Sequence, residues 1–263
     1  MASIPEIFSL KDKAAIVSGG HTGLGKVMGE ALLEAGANLA VCSRRPEKWE
    51  ESFAELKSIA SKHDRELLSF KCDVTSKEQV AEMVSVTVSK LGSVDILVNN
   101  AGIAWVAPAD QMALEDWKKV IDSSLTGTFI LSQEVGRHMI PKRRGKIINM
   151  ASIAALRGTP PDILDAVAYS AAKAGVIGFT RDLAVKWAHH NVTVNAIAAG
   201  WFPTHMTRLL MALRGEELAA HTPLGRLGQP TDLKGVAVFL SSHASDYITG
   251  QVIVVDGGIS ASF

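Results

Sequence analysis

Seven short apolar runs alternate with longer amphipathic segments along the chain, and this alternation constrains the fold more than any other feature. Each run has the length of a strand and lacks regular polar alternation, which is typical of parallel strands covered on both faces. The sequence therefore predicts an α/β fold, a doubly wound, parallel, seven-stranded sheet flanked by helices. The predicted strands are Ala14–Ser18, Asn38–Ser43, Leu67–Lys71, Ile96–Asn99, Lys146–Met150, Val192–Ile197 and Val252–Val255. The predicted helices lie near 24–35, 47–62, 76–90, 115–139, 169–189 and 231–241.

The domain organisation is predicted to be simple. The chain has 263 residues, and no repeat or linker divides it, so residues 1–263 are expected to form one domain. The longest interruption of the alternating pattern, near 199–230, contains Gly200 and three prolines. This stretch is interpreted as a lid-like insertion rather than a second domain.

Charge and cysteine content exclude several classes of protein. Lys and Arg number 27 and Asp and Glu number 27, so no basic excess is available for nucleic acid or an anionic membrane. No run approaches the roughly 20 apolar residues of a membrane span, and the N-terminus lacks the pattern of a secretory signal. The two cysteines, Cys42 and Cys72, stand apart from any metal-ligand motif, so no metal site is expected. Two free thiols fit a cytoplasmic protein.

A glycine-rich turn connects the first predicted strand to the first predicted helix. Glycine permits unusual backbone angles and close approach of a pyrophosphate, and the helix N-terminus offers free N–H groups to that phosphate. Strand, glycine turn and helix at the chain start are the context of a Rossmann-type dinucleotide site. The candidate cofactor-binding residues here are Ser18, Gly19, Thr22, Gly23, Leu24 and Gly25.

The end of the second strand bears on the choice of cofactor. A site for NAD carries an acidic residue near this position, but this chain has Ser43 followed by Arg44. An arginine can pair with the 2′-phosphate of NADP, although it can also be a solvated loop residue. The sequence favours NADP(H), with NAD(H) as the less favoured alternative.

Tyr169 and Lys173 are the candidate acid–base pair. Four residues apart on a predicted helix, they share one face. A nearby ammonium favours the phenolate of a tyrosine whose ordinary pKa, about 10, is too high for catalysis at neutral pH. Ser152 ends the fifth strand region, at the sheet edge where α/β sites form, and could bind a substrate carbonyl.

Together these features resemble the short-chain dehydrogenase/reductase family over essentially the whole chain, from Lys11 to Gly258. Within the family the pattern is most similar to gluconate 5-dehydrogenases and 3-oxoacyl-carrier-protein reductases. The resemblance is carried by Gly19-x3-Gly23-x-Gly25, Asp73-Val74, Asn99-Asn100-Ala101-Gly102, Ser152, Tyr169-x3-Lys173, Gly200 with Thr204, and the tail 249–258.

The resemblance implies a role for each of these residues. Asp73 and Val74 would bind the adenine edge, and Asn100 and Gly102 the adenosine-ribose side. In the same way Tyr169 and Lys173 would hold the nicotinamide ribose, and Thr204, after Gly200, the carboxamide. Ser152 would polarise the substrate carbonyl and Tyr169 would transfer the proton. The family also implies a homotetramer built from the helices near 115–139 and 169–189.

Three positions depart from the family pattern. Ser124 stands where the family has the asparagine of its proton relay, and Ala199 replaces a proline before Gly200. The relay water of the family is held by a main-chain carbonyl, which Ser124 retains, so Ser124 is kept as a candidate catalytic residue. The spacing from Ser152 to Tyr169 is longer than usual, and the extra residues, in 157–167, are expected to shape the substrate pocket.

The sequence thus predicts an NADP(H)-dependent oxidoreductase that interconverts a secondary alcohol and a ketone, on a sugar or sugar acid such as gluconate. Two alternatives stay open: a 3-oxoacyl thioester reductase and a catalytically silent nucleotide-binding sensor. Arg157, Arg208 and His205 are candidates to meet a substrate carboxylate. Trp105 and Trp201 are candidates to line the pocket, whereas Trp49, Trp117 and Trp187 are expected to pack within the fold.

Overall fold

The computed structural model describes residues 3–262 and confirms the predicted fold class. The described residues contain one seven-stranded sheet of order β3-β2-β1-β4-β5-β6-β7, with every neighbouring pair parallel. Its strands are β1 (Ala14–Ser18), β2 (Asn38–Ser43), β3 (Leu67–Lys71), β4 (Ile96–Asn99), β5 (Gly145–Ser152), β6 (Val192–Ala199) and β7 (Val252–Val255). The order reverses between β1 and β4, and in such sheets the crevice at this switch point is where ligands bind.

Ten α-helices occur in the described residues and cover both faces of the sheet. They are α1 (Ile4–Phe8), α2 (Gly23–Glu34), α3 (Glu50–Lys62), α4 (Lys77–Leu91), α5 (Leu114–Ile121), α6 (Gly127–Lys142), α7 (Pro161–Leu164), α8 (Val167–Trp187), α9 (Arg208–Ala220) and α10 (Pro230–Ser241). Apolar residues of α2, α3 and α10 pack in a core on one face of the sheet. Residues of α4, α6 and α8 pack in a second core on the opposite face.

The structure differs from the sequence-based expectation at the edges of the sheet. β3 and β7 are only partly buried, because an outermost strand has one neighbour and its face is incompletely covered. The expectation that every apolar run is buried on both faces is therefore wrong for these two strands. By contrast β5 and β6 each run two residues further toward their carboxyl ends than predicted, which brings Ser152 and Ala199 into the sheet.

Two helical features were not predicted. The stretch 199–230 is not entirely irregular, because α9 lies within it. The single helix expected over 115–139 is interrupted by a π-helical turn at Asp122–Thr126, which separates α5 from α6. Such turns are frequent at functional sites, and this one contains Ser124.

Candidate functional site

A cavity of about 590 Å³ opens at the carboxyl ends of the strands. It brings together most of the residues that the sequence singled out. Those that line it are Gly19, Thr22, Gly23, Leu24, Arg44, Asp73, Val74, Asn100, Gly102, Ser152, Tyr169, Lys173, Gly200 and Thr204. Ser18, Gly25 and Ser124 are not among its lining residues. The predicted cofactor and catalytic residues therefore share one cavity, with a few of them behind its wall.

The glycine turn between β1 and α2 forms a close-fitting cradle in this wall. Gly23 has φ +56, a left-handed conformation that favours glycine. A Cβ atom on Gly25 would lie 2.4 Å from the carbonyl oxygen of Gly19 and 2.4 Å from Nδ2 of Asn100. The turn therefore keeps its backbone exposed to the cavity at Gly23, while Gly25 allows the turn to close on itself.

Ser18 and Asn100 fasten this turn to the neighbouring strand. The buried Oγ of Ser18 accepts hydrogen bonds from the backbone N–H groups of Asn100 and Ala101, both at 3.0 Å. The side-chain amide of Asn100 donates to the carbonyl oxygens of Ser18 at 3.0 Å and Gly19 at 3.3 Å. Ser18 thus positions the glycine turn from behind, and Asn100 contributes both to this fastening and to the cavity wall.

The wall formed by the ends of β2 and β3 carries the predicted adenosine-binding residues. Arg44 is exposed at the cavity and forms no ion pair within residues 3–262. The hydroxyl oxygen of Ser43 is buried and has no hydrogen-bond partner in the same part of the chain. Across from them, Oδ1 of Asp73 accepts from the backbone N–H of Thr75 at 3.0 Å, and Val74 is buried beside it. This wall offers a free guanidinium, an unsatisfied hydroxyl and an apolar contact.

Tyr169, Lys173 and Ser152 form a compact group in the lining of the same cavity. Helix α8 places Tyr169 and Lys173 one turn apart, and Ser152 ends β5. Burial raises the pKa of the Tyr169 phenol, and a hydrogen bond with the Ser152 side chain opposes that rise. Desolvation lowers the pKa of Lys173 to about 8, and its ammonium donates to the carbonyl oxygen of Met150 at 2.5 Å. The ammonium is thus buried, whereas Tyr169 is only half-buried and faces the cavity.

Ser124 lies behind this group, in the π-helical turn. Its hydroxyl is within 3.4 Å of both the N–H and the carbonyl oxygen of Ile103, and its own carbonyl accepts from Thr128 Oγ1 at 2.9 Å. A Cβ on Gly102 would lie 3.0 Å from Ser124 Oγ and 3.8 Å from Lys173 Nζ. Gly102 therefore lies between the Ser124 hydroxyl and the Lys173 ammonium, and a side chain at this position would fill the space between them.

The segment after β6 forms the remaining wall and contains residues that were not predicted from the sequence to line the cavity. Phe202, Met206 and Thr207 line the cavity with Thr204. The Thr207 hydroxyl donates to the carbonyl oxygen of Phe202 at 2.7 Å and accepts from the N–H of Thr204 at 2.9 Å. This turn brings Thr204 against Gly23, whose added Cβ would lie 3.6 Å from the Thr204 side chain. Hydroxyl residues spaced three apart before a helix were the signal available in the sequence.

The tryptophans divide differently from the sequence-based expectation. Trp49, expected to pack within the fold, lines the cavity and meets His205 edge to face, with ring centroids 5.2 Å apart. Trp201 instead lines a separate cavity with Asp256, and Trp105 is exposed outside the main cavity. A tryptophan in the turn after β2 can reach the cavity because that turn curves over the open end of the sheet.

In residues 3–262, no three His, Cys, Asp or Glu side chains are grouped as metal ligands would be. None of the helices in that range combines the length and apolar character needed to cross a bilayer.

Comparison with known proteins places these features in a family. A family model described as Enoyl-(Acyl carrier protein) reductase matches residues 19–260. The gluconate 5-dehydrogenase of Gluconobacter oxydans (strain 621H) is 36% identical over 264 residues, covering 99% of this chain and 99% of that protein. The 3-oxoacyl-acyl-carrier-protein reductase of Thermotoga maritima is 37% identical over 250 residues, covering 95% of this chain and 98% of that protein.

The fold similarity is equally extensive. The crystal structure of a gluconate 5-dehydrogenase from Burkholderia cenocepacia J2315, in complex with NADP and tartrate, superimposes with a TM-score of 0.90. It is 33% identical and covers 99% of this chain and 100% of that one. With a family model over residues 19–260 and relatives of this identity along its length, the chain is an oxidoreductase acting on CH–OH groups and belongs to the short-chain dehydrogenase/reductase family.

Proposed function

We propose that this protein is an NADP(H)-dependent oxidoreductase that interconverts the secondary alcohol and the ketone of a sugar acid. The observation that carries the proposal is the cavity itself. One continuous wall holds the glycine turn, the free Arg44 guanidinium and the group of Ser152, Tyr169 and Lys173. A dinucleotide lying along that wall would have its phosphates at one end and its reactive ring beside the acid–base group at the other.

The residues present fit NADP(H). The glycine turn lines the cavity at Gly23, at the start of α2, where the free backbone N–H groups of a helix N-terminus would bind a pyrophosphate. At the far end, the unpartnered hydroxyl of Ser43 and the guanidinium of Arg44 match a ribose that carries a 2′-phosphate. No carboxylate stands at Ser43 to repel this phosphate. When bound, the nicotinamide supplies or accepts the hydride.

The side chains of the chain itself handle the proton and orient the substrate. In the reducing direction, the Tyr169 hydroxyl donates its proton to the carbonyl oxygen, and the Ser152 hydroxyl donates a hydrogen bond to the same oxygen. The Lys173 ammonium stabilises the phenolate that remains on Tyr169. Its hydrogen bond to the Met150 carbonyl oxygen, at 2.5 Å, fixes the ammonium in place. In the oxidising direction the phenolate accepts the proton of the alcohol.

A sugar acid is the substrate class that the cavity and the relatives favour. The gluconate 5-dehydrogenase of Burkholderia cenocepacia was crystallised with tartrate, a hydroxy acid. Of the three candidate partners for a substrate carboxylate, His205 lines the cavity. Arg157 instead donates to the carbonyl oxygen of Ile259 at 2.9 Å, and Arg208 is not among the cavity-lining residues. His205 is therefore the candidate that remains for this contact.

The test is a comparison of substrate classes with NADPH absorbance as the readout. Keto forms of gluconate and its deoxy derivatives would be compared with acetoacetyl and longer 3-oxoacyl thioesters. We expect kcat/KM to be at least about tenfold higher for a keto sugar acid. A higher kcat/KM for the thioesters would contradict a sugar acid as the substrate and favour the alternative function, 3-oxoacyl thioester reduction. If the protein binds NADPH but reduces none of these carbonyls, the result would contradict the proposed enzymatic activity and favour a nucleotide-binding sensor.

We also propose that the protein works as a cytoplasmic homotetramer. Apolar side chains on α6 and α8 are left in contact with solvent in the single chain: Phe129 is 42% exposed and Val185 is 78% exposed. Phe129 packs edge to face on Phe179, with ring centroids 6.2 Å apart, so the two helices present one aromatic surface. The two free thiols suit a reducing compartment. Light scattering on the purified protein tests the tetramer, and the measured mass of a single chain would contradict it.

We further propose that residues 199–230, within a single domain, act as a lid. Arg214 of α9 contacts Asp162 of α7, Nη1 to Oδ2 at 3.1 Å, and so joins this stretch to the unusually long 157–167 segment. The stretch also supplies Thr204 and His205 to the cavity wall. Closure of both segments over a substrate would exclude water from the acid–base group.

A further inference from the structure

The only two cysteines of the chain meet at the adenosine end of the cavity. Cys42 lies in β2, and Cys72 directly follows β3, the neighbouring strand. The backbone N–H of Cys72 donates to the carbonyl oxygen of Ser43 at 3.0 Å, which holds the two strand ends together. Both side chains belong to the same apolar cluster and both line the cavity. Nothing in the proposed reaction uses either thiol.

The two thiols are chemically unequal. Both thiols are buried, Cys42 fully and Cys72 to 2% exposure, and the pKa of the Cys42 thiol is raised well above the ordinary range by its hydrogen bond to Cys72 and by desolvation. The same hydrogen bond lowers the pKa of Cys72, because it stabilises a thiolate there. A thiolate is the reactive form of cysteine, so Cys72 is the nucleophile of the pair and Cys42 retains a proton.

We propose that Cys42 and Cys72 form an oxidation site for small hydroperoxides, which enter through the cavity and convert the pair to a disulfide. The Cys72 sulfur attacks the peroxide, the O–O bond breaks, and Cys72 becomes a sulfenic acid while the peroxide is reduced to water or an alcohol. The Cys42 sulfur then attacks the Cys72 sulfur. The S–S bond forms, the S–O bond breaks, and the proton of Cys42 leaves with the hydroxyl as water.

The register of the strands indicates what this bond would do to the cavity wall. Cys42 pairs with Phe70, two residues before Cys72, so the thiols approach each other diagonally across the strands. Neighbouring strands lie about 4.8 Å apart, and a disulfide joins Cα atoms about 4.4–6.8 Å apart. Cys72 already lies at ladder distance from β2, so closing the diagonal requires the chain at Cys72 to shift back along β2 toward Cys42, which breaks its hydrogen bond to Ser43.

That shift would act on the cofactor, an inference that rests on the proposed function. Ser43 and Arg44 directly follow Cys42, and Asp73 directly follows Cys72, so each thiol is covalently attached to a part of the adenosine wall. A disulfide would displace these residues and weaken NADPH binding. Because coupling between two events is reciprocal, bound cofactor would in turn protect the thiols from oxidation.

The chemical step can be tested without any turnover. The apoprotein would be treated with hydrogen peroxide, unfolded in an alkylating reagent and digested for mass spectrometry. We expect a reductant-sensitive link between the Cys42 and Cys72 peptides. In Cys42→Ser, a sulfenic acid should be trapped on Cys72 by a dimedone-type reagent, whereas in Cys72→Ser the remaining Cys42 should stay unmodified. Two freely alkylated thiols in treated wild type, or equal reactivity in the two variants, would overturn the proposal.

The coupling to the cofactor is measured separately. NADP⁺ is used for this experiment because peroxide oxidises NADPH but not NADP⁺. Preloading the protein with NADP⁺ should slow disulfide formation at least about tenfold. The disulfide form should bind NADPH at least about tenfold more weakly by fluorescence, and dithiothreitol should restore binding. A disulfide that forms at the same rate with and without NADP⁺, in protein whose NADP⁺ binding has been demonstrated, would overturn the coupling. Absence of NADP⁺ binding to untreated protein would contradict the proposed function instead.

Discussion

The ammonium of Lys173 lies 5.7 Å from the centre of the Tyr169 ring and has no carboxylate partner among residues 3–262. Its one hydrogen bond in that part of the chain goes to a neutral main-chain carbonyl, and the side chain is 5% exposed. A buried cation without a counter-ion is costly to the folded protein, and the lowered pKa of about 8 expresses that cost. We propose that the site keeps this cation, at the expense of the stability of the fold, because the cation stabilises the phenolate of Tyr169.

We predict that Lys173→Met stabilises the fold while abolishing activity. A pKa lowered from 10.5 to about 8 corresponds to about 3 kcal/mol of charging cost at neutral pH. The unfolded chain holds this proton more tightly, so wild-type stability should rise between about pH 8 and 10.5 and stay lower below pH 8. Urea unfolding at about pH 7 should give the variant roughly 1–3 kcal/mol more stability, with a smaller gain at about pH 9. A variant less stable than wild type at both pH values would contradict the inference that the buried charge of Lys173 destabilises the fold.

Ser124→Ala should be nearly silent in kcat. The Ser124 hydroxyl makes only long contacts, 3.4 Å, to the main chain of Ile103, and its carbonyl oxygen survives the substitution. If that carbonyl holds a relay water, the proton path is unchanged. A fall of about tenfold or more in kcat, with an unchanged melting temperature, would mean that the hydroxyl itself carries protons. Ser123→Ala, at the preceding position of the same π-helical turn, provides the matched control.

Arg44 should determine the preference for NADPH. A charge-assisted hydrogen bond contributes about 1.5–3 kcal/mol, so wild type should favour NADPH over NADH by at least about tenfold in kcat/KM. Arg44→Ala should lose most of this preference, and Ser43→Asp combined with Arg44→Leu should reverse it. Arg45→Ala, at the neighbouring cavity-lining arginine, is the control. Equal use of both cofactors by wild type, or an Arg44→Ala variant that still prefers NADPH, would remove Arg44 from the cofactor site.

The contact between Arg214 and Asp162 should affect substrate binding more than chemistry. The contact joins α9 to the 157–167 segment, which is distant from α9 in sequence, and both side chains are partly exposed. Exposed ion pairs stabilise only weakly, so Asp162→Asn should raise the substrate KM by up to about fivefold with little change in kcat. Lys186→Ala removes a comparable exposed pair with Asp182 on α8 and should leave KM unchanged. Equal effects of the two variants would argue against closure of these segments over the substrate.

The sheet could be predicted well from the sequence because its strands are defined by local apolar runs. The predicted bounds are correct for five strands, β1, β2, β3, β4 and β7. The glycine turn could also be predicted, because it lies between β1 and α2, which both have clear sequence patterns. The partial exposure of β3 and β7 could not be predicted from the runs alone, because strand order depends on pairing between distant parts of the chain.

The candidate site was predictable where a side chain is fixed by its own element. Tyr169 and Lys173 share a face by helical spacing alone. The contact between Trp49 and His205, by contrast, joins residues from two loops whose path is set by tertiary packing. The π-helical turn at Ser124 could likewise not be predicted, because a single turn of five residues is too short to show a periodicity of its own.

The most direct test of the account compares Tyr169→Phe with Tyr247→Phe, a change in the only other tyrosine, which is fully exposed. Tyr169→Phe removes the proton that is transferred to the carbonyl oxygen and leaves the ring in place. We predict that kcat for carbonyl reduction falls about 10²–10⁴-fold while NADPH affinity and the melting temperature are retained, and that Tyr247→Phe behaves as wild type. A Tyr169→Phe enzyme whose kcat stays within about threefold of wild type would contradict the assignment of Tyr169 as the proton donor.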